Sequence, residues 1–137
     1  MQPILCLVFL LCACLRADQS ADRVAIRKVI DSLNEPRGDS QSKSLSSLFT
    51  KDADPADLDR LSNMERRMRD ISSGPWSEVT APRIRSNSIR FVSPDVALVD
   101  AAITQIGALA WRHEPVLLVL KKEGTDWRIA SLRLGYR

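Results

Sequence analysis

An aspartate inside an apolar run is the residue of this chain most open to a chemical role. Asp100 interrupts "VALVDAAIT". Held away from water, its carboxyl would keep a proton to higher pH and serve as a general base. Arg133 stands in "WRIASLR". Strict strand alternation groups Trp127, Ile129, Ser131 and Arg133 on one face and Arg128, Ala130, Leu132 and Leu134 on the other. From there Arg133 could hold a ligand carboxylate through two parallel hydrogen bonds, pair with Asp100, or reach solvent. His113, in "AWRHEP", is the single histidine and the natural acid or base near neutral pH. Trp76, Trp111 and Tyr136 carry apolar rings with a polar handle, which suits a pocket mouth or an interface. Each has a plain reading beside the functional one: an outward or arginine-paired aspartate, a surface histidine, aromatic packing.

Other chemistries lack their residues. No glycine-rich phosphate loop, nucleophile elbow or Ser-His-Asp spacing is present. All three cysteines, Cys6, Cys12 and Cys14, lie in the first 17 residues. A chain cleaved after Ala17 has no disulfide, no thiol nucleophile and no Cys- or His-rich metal site. Asp52, Asp54, Asp57 and Asp59 lack the glycine and spacing of a calcium loop. No cofactor is implied. The formal charge of +3 includes Arg16, and basic residues alternate with acids in "DLDRLSNMERRMRD", which argues against a nucleic-acid surface.

The leader is the apolar run from Ile4 to Leu15. A membrane span needs about 20 apolar residues, so this run has the length of a signal-peptide core, with cleavage expected after Ala17. Leu11-Cys12-Ala13-Cys14 also has the form of a lipobox, in which Cys14 would be acylated and tie the protein to a membrane. The expected destination is periplasmic or secreted, or a membrane-anchored lipoprotein. Residues 18–137 are then one domain, long enough to bury a core without staples.

The elements that must position these side chains follow from periodicity. Ile26, Val29, Ile30 and Leu33 form one helical stripe in residues 20–33, with Ser20 as cap, Asp22 at the positive end, and Pro36 and Gly38 as the stop. Leu45, Leu48 and Phe49 would share a face of a short second helix over 41–49. Asp54-Pro55 opens a third helix, with Asp57 at N3 as in a capping box. Leu58, Leu61, Met64, Met68 and Ile71 continue its apolar face until Ser73-Gly74-Pro75. From residue 82 the period changes. "PRIRSNSIRFV" alternates imperfectly, "SPD" turns, "VALVDAAITQI" follows, then a loop near Gly107. "PVLLVLKK" reads as a buried strand, "EGTD" turns, and "WRIASLRLGY" closes the chain. Helices followed by four strands in an antiparallel meander give an α+β fold, with helices on one face of a curved sheet.

"SLFTKDAD", "IRFVSPDVALVDA" and "LLVLKKEGTDWRIASLR" resemble the nuclear transport factor 2-like superfamily, and within it the SnoaL-like group, a domain of unknown function. The resemblance covers about residues 21 to 136. It implies a cone-shaped fold with an apolar pocket at the wide end, for which Trp76, Trp111, Arg133 and Tyr136 are the candidate lining. Its members include ligand-binding proteins, isomerases, dehydratases and dimerisation domains. The reading it favours is an exported domain binding a small apolar or amphipathic molecule, paired as a homodimer through its sheet. The first alternative is an isomerase or dehydratase abstracting a proton next to a carbonyl, with Asp100 or His113 as base and Arg133 or Tyr136 polarising the oxygen. The second is a non-catalytic structural or dimerisation module. The third helix starts almost directly after "DAD", where relatives often carry a short strand, and the loop after "ITQI" is short. Both departures would reshape the pocket.

Overall fold

A computed structural model describes residues 19–35, 45–72, 83–106 and 111–135, and within them all side chains but those of 65, 67–72, 105, 106, 111 and 112. The leader, the expected helix stops at 36–38 and 73–75, Trp76, the loop at Gly107 and Tyr136 lie outside these residues.

Residues 19–33 form the first helix, α1. The helix already runs at 19, so Ser20 lies inside it and is not the expected cap. Ile26, Ile30 and Leu33 are buried and Val29 packs partly against them, the stripe that the spacing predicts. Each fully buried side chain of this kind contributes about 1.5–3 kcal/mol.

Of the expected second helix, Leu45 and Ser46 are helical and Ser47-Leu48 turn the chain out of it, with Leu48 N–H donating to Leu45 O at 3.1 Å and Phe49 N–H to Ser46 O at 3.2 Å. The chain then straightens. Phe49 forms a parallel bridge to Ile129, with Thr50 N–H on Ile129 O at 2.9 Å and Ile129 N–H on Leu48 O at 2.8 Å. Leu45 and Phe49 are buried nonetheless. Serine-rich "SLSS" has weak intrinsic helicity, and pairing with a sheet edge offers its backbone groups better partners.

Helix α2 spans Pro55–Ser72. Asp54 caps it as expected: Ala56 N–H donates to Asp54 Oδ1 at 2.9 Å. Leu61 is buried, with Leu58 and Met64 packed beside it.

Four strands follow: β1 Arg83–Ser93, β2 Val96–Ile106, β3 Trp111–Glu123 and β4 Asp126–Leu134. They form one antiparallel sheet in the order β1-β2-β3-β4. β1 and β2 join through Pro94-Asp95. β3 and β4 join through Gly124-Thr125, where only Gly124 has positive φ, 65°, the signature of a type II′ hairpin turn.

The helices pack on one face of this sheet. Ala97, Val99, Ala101 and Ile103 of β2, Val116, Leu118 and Leu120 of β3, and Trp127, Ile129 and Leu132 of β4 are buried there with Ile26, Ile30, Leu45, Phe49 and Leu61. Two register shifts decide which residues join them. On β1 the pairing passes from Ser86↔Ala101 to Ser88↔Asp100, leaving Asn87 as an extra residue. That bulge is why Ile84 and Ile89, an odd number of residues apart, are both buried, and it accounts for the imperfect alternation of "IRSNSI". On β4 the pairing passes from Leu120↔Ile129 to Val119↔Ser131, leaving Ala130 extra. Trp127 and Ile129 therefore share the helix face with Leu132. Arg133 does not, and the strict alternation that groups it with Trp127 is corrected by this bulge.

Candidate functional site

Asp100 lies on the face of the sheet opposite the helices. Its register neighbours are Ser88 on β1 and Leu117 on β3, and Leu117 pairs in turn with Arg133 on β4. Ser88, Asp100, Leu117 and Arg133 thus form one row across the outer face. Ser88 Oγ donates to Asp100 Oδ2 at 3.0 Å. Arg133 is exposed and stands two strand spacings from Asp100, roughly 10 Å between backbones. His113 is exposed on the same face, opposite Thr104. It lies four residues along β3 from Leu117, about 13 Å at the usual strand rise. Asp100, Arg133 and His113 share a face but do not converge on one point. Trp111 opens β3 opposite Ile106; its side chain, like all of Trp76 and Tyr136, lies outside the described residues.

The outer face also carries apolar residues. Leu98, Pro115, Leu117 and Val119 are half-buried and Ala102 is buried. Ser88, Asp100 and Arg133 are the polar members of the row through Leu117.

The acid that the fold does bury is Asp57. Its side chain is 2% exposed. Its Oδ2 accepts Ser131 Oγ–H at 3.1 Å and Leu132 N–H at 3.0 Å, while Oδ1 accepts Arg60 at 2.8 Å. The capping-box role expected of Asp57 is replaced by this clamp, which ties the first turn of α2 to β4 just past the Ala130 bulge. Sequence reasoning missed it because helix position N3 already supplied a local explanation. The signal available was Ser131, a polar residue two places from buried Ile129 and next to buried Leu132.

A second carboxylate joins α1 to the sheet. Asp22 Oδ1 accepts Trp127 Nε1–H and Lys122 Nζ–H, each at 2.9 Å. Burial alone would raise the Asp22 pKa, but these two donors and the Lys122 charge outweigh it and hold the carboxyl below its ordinary value. Around it, Arg23 stacks over Phe91 at 5.2 Å, and Phe91 meets Trp127 edge-on with centroids 5.9 Å apart. Trp127 thus spends its polar handle inside the fold.

Among the described residues, clefts open along the borders of α1. One of about 390 Å³ lies between its start and the β1–β2 turn, lined by Asp22, Phe91, Val92, Asp95 and Lys122 among others. One of about 300 Å³ lies beside the β3–β4 turn, bounded by Lys28, Val29, Leu48, Trp127 and Arg128 among others. The third, about 370 Å³, runs between α1 and β1, with Arg27, Ile30 and Asn34 on one side and Arg83, Ile84 and Arg85 on the other. Each sets apolar walls beside charged side chains, in the size range of small-molecule sites.

A four-stranded antiparallel meander with its helices on one face is a known architecture. The fold is cystatin-like. A domain of unknown function with a cystatin-like fold from Nostoc punctiforme superposes with a TM-score of 0.53 at 19% identity, over 88% of this chain and 78% of that one. A function unknown protein from Mycobacterium tuberculosis superposes with a TM-score of 0.53 at 16% identity, over 86% of this chain and 73% of that one. The cystatin-like fold is the cone of the nuclear transport factor 2-like proteins. No protein-family model matches the chain, and no curated protein matches it in sequence. At these identities the likeness is one of fold, and a fold of this kind does not fix an activity.

Proposed function

We propose that the protein is an exported SnoaL-like domain that binds a small apolar or amphipathic molecule and does not turn it over. The observation that carries this reading is the position of Asp100. A base that abstracts a proton beside a carbonyl has to be shielded from water so that its pKa approaches the working pH. Asp100 is half-exposed on the outer face, bonded to Ser88, and among the described residues the other candidates, Arg133 and His113, do not converge on it. The clefts beside α1, by contrast, offer apolar walls and charged rims in the volume of a small ligand. Export follows from the leader, with Cys14 as the anchoring residue in the lipoprotein form.

Native mass spectrometry of the protein purified from its own cells tests this. The expected spectrum holds a species heavier than the processed chain by one small molecule, and a lipid on Cys14 would register as a separate, covalent increment. A turnover that Asp100→Asn abolishes, while leaving the folded fraction unchanged, would overturn the reading in favour of the isomerase or dehydratase alternative.

The half-buried Leu98, Leu117 and Val119 support a second reading, self-association through the outer sheet face. Light scattering on the wild type and on Leu117→Glu reads it: a dimer that becomes a monomer in the variant supports the reading, and a monomeric wild type ends it.

A further inference from the structure

We propose that two copies of the domain pack outer face to outer face about a twofold axis running along β3, so that Asp100 of each copy meets Arg133 of the other. This rests on the self-association reading above and gives it a symmetry and an exchanged pair of charges.

The row Ser88, Asp100, Leu117, Arg133 crosses the outer face from β1 to β4, one residue per strand. Neighbouring strands lie about 4.8 Å apart, so Asp100 and Arg133 stand at equal steps on either side of Leu117. The adjacent row places Leu98, Val119 and Ser131 on the same three strands, and Ala102 and Pro115 pair on the other side of the first row. β3 therefore sets Pro115, Leu117 and Val119 in line along a central strand, all half-buried.

In a twofold dimer, a residue i that meets j of the other copy implies that j also meets i. A face carrying both signs of charge fits itself only when the axis exchanges them. An axis along β2 sets Asp100 against Asp100. One midway between β2 and β3 seats Asp100 on Leu117. One crossing the strands over this row brings every charge against its own copy. An axis along β3 puts Leu117 on Leu117 and β2 over β4, and both Asp100–Arg133 contacts form at once. Stacked sheets lie about 10 Å apart with their strands nearly aligned, a gap filled by an aspartate and an arginine reaching from opposite sides. Asp100 already accepts from Ser88 at 3.0 Å, and a carboxylate has lone pairs for further donors.

The remaining charges fit the same axis. Arg83, Arg85 and Arg90 are exposed, and their register with Thr104, Ala102 and Leu98 places them on the outer face of β1. With the axis on β3, the overlapping strands are β2, β3 and β4. β1 lies outside them, and the two sets of arginines end up on opposite sides of the pair. Lys121 closes the β3 line, with Asp52 3.8 Å away to answer its charge. Behind the face, the sheet is fixed to α1. Asn34 Nδ2 donates to Ile84 O at 2.8 Å, and Ile84 N–H donates to Asn34 Oδ1 at 2.7 Å. Substitutions on the outer face leave this side untouched.

Charge reversal tests the proposal by sedimentation of the wild type, Asp100→Arg and Arg133→Asp, each alone and the two variants mixed. The wild type is expected to be a dimer. Either variant alone sets like charges together at both contacts and should dissociate at least about tenfold more readily. In the mixture, the two guanidiniums of one variant face the two carboxylates of the other, so a heterodimer should form where neither variant pairs with itself. Variants that dimerise as well as the wild type would overturn the exchanged charges and leave self-association standing. Variants that dissociate and do not recover on mixing would overturn the β3 axis. A monomeric wild type ends the proposal and the reading beneath it together. Both side chains lie on the outer face, so circular dichroism and melting temperature should match the wild type. If either variant is unfolded, Asp100→Asn and Arg133→Gln replace them. Each should weaken the dimer, and the double variant should lose no more than the larger single loss; fully additive losses would overturn the contact.

Discussion

The carboxylate of Asp57, at the start of α2, accepts the backbone N–H of Leu132 in the last strand across 75 residues of chain, at 3.0 Å. β4 is an edge strand, and an edge leaves its outward N–H groups without strand partners. The segment around Leu48 and Thr50 covers Ile129, and Asp57 covers Leu132. One acidic side chain thus finishes a sheet edge and docks a helix on it.

Asp57→Ala should therefore be among the most damaging single changes in the domain. It strands a buried N–H and the Ser131 hydroxyl together, and hydrogen bonds to a charged group are worth about 1.5–3 kcal/mol. The expected loss is about 3 kcal/mol in urea unfolding. Ser131→Ala removes one neutral donor and should cost about 1 kcal/mol. A double-mutant cycle checks that the two losses are not additive.

Asp22 gives the domain an acid-sensitive contact of known sign. Its folded pKa lies below the ordinary carboxylate value because of Trp127 and Lys122, against the opposing effect of burial. Its stabilising share is therefore present above the unfolded value of about 3.9 and lost as pH falls through the lower, folded value. The stability difference between wild type and Asp22→Asn should be largest above about pH 5 and shrink towards pH 2. Denaturant midpoints across that range check this; a difference that grew with acid would contradict the contact.

Asn34→Ala removes both bonds to Ile84 and unclips α1 from β1. About 1–2 kcal/mol should be lost. The readout specific to the clip is hydrogen exchange at the Ile84 amide, which should quicken more than that of Val99 in the sheet interior.

Asp100→Asn should change little. The residue is half-exposed and bonded to a serine that an amide oxygen can also satisfy. A stability shift of less than about 1 kcal/mol is expected. A larger loss would mean that the charge of Asp100, and not only its shape, holds the outer face together.

Much of the fold was legible along the chain. Ile26, Ile30 and Leu33 on α1, Asp54 as its successor's cap, and the apolar run of "PVLLVL" on β3 are local patterns, and local patterns survive folding. The candidate site was less so. Trp127 and Arg133 were grouped by alternation, yet Trp127 donates to Asp22 while Arg133 is exposed on the other face. The pairing of Asn34 with Ile84 showed nothing in sequence, because it depends on how α1 lies against an edge strand 50 residues later.

By itself the sequence determined the element types, the meander and the composition of the core, since helical and strand periods are properties of a single segment. Tertiary structure decided which residues face which way. One extra residue at Asn87 and one at Ala130 shift the pleat by a single position, and in a structure of period two that moves every later side chain to the opposite face. The β4 bulge is flanked by a contact from elsewhere in the chain, Asp57 on Ser131 and Leu132, and no run of neighbouring residues encodes such a contact.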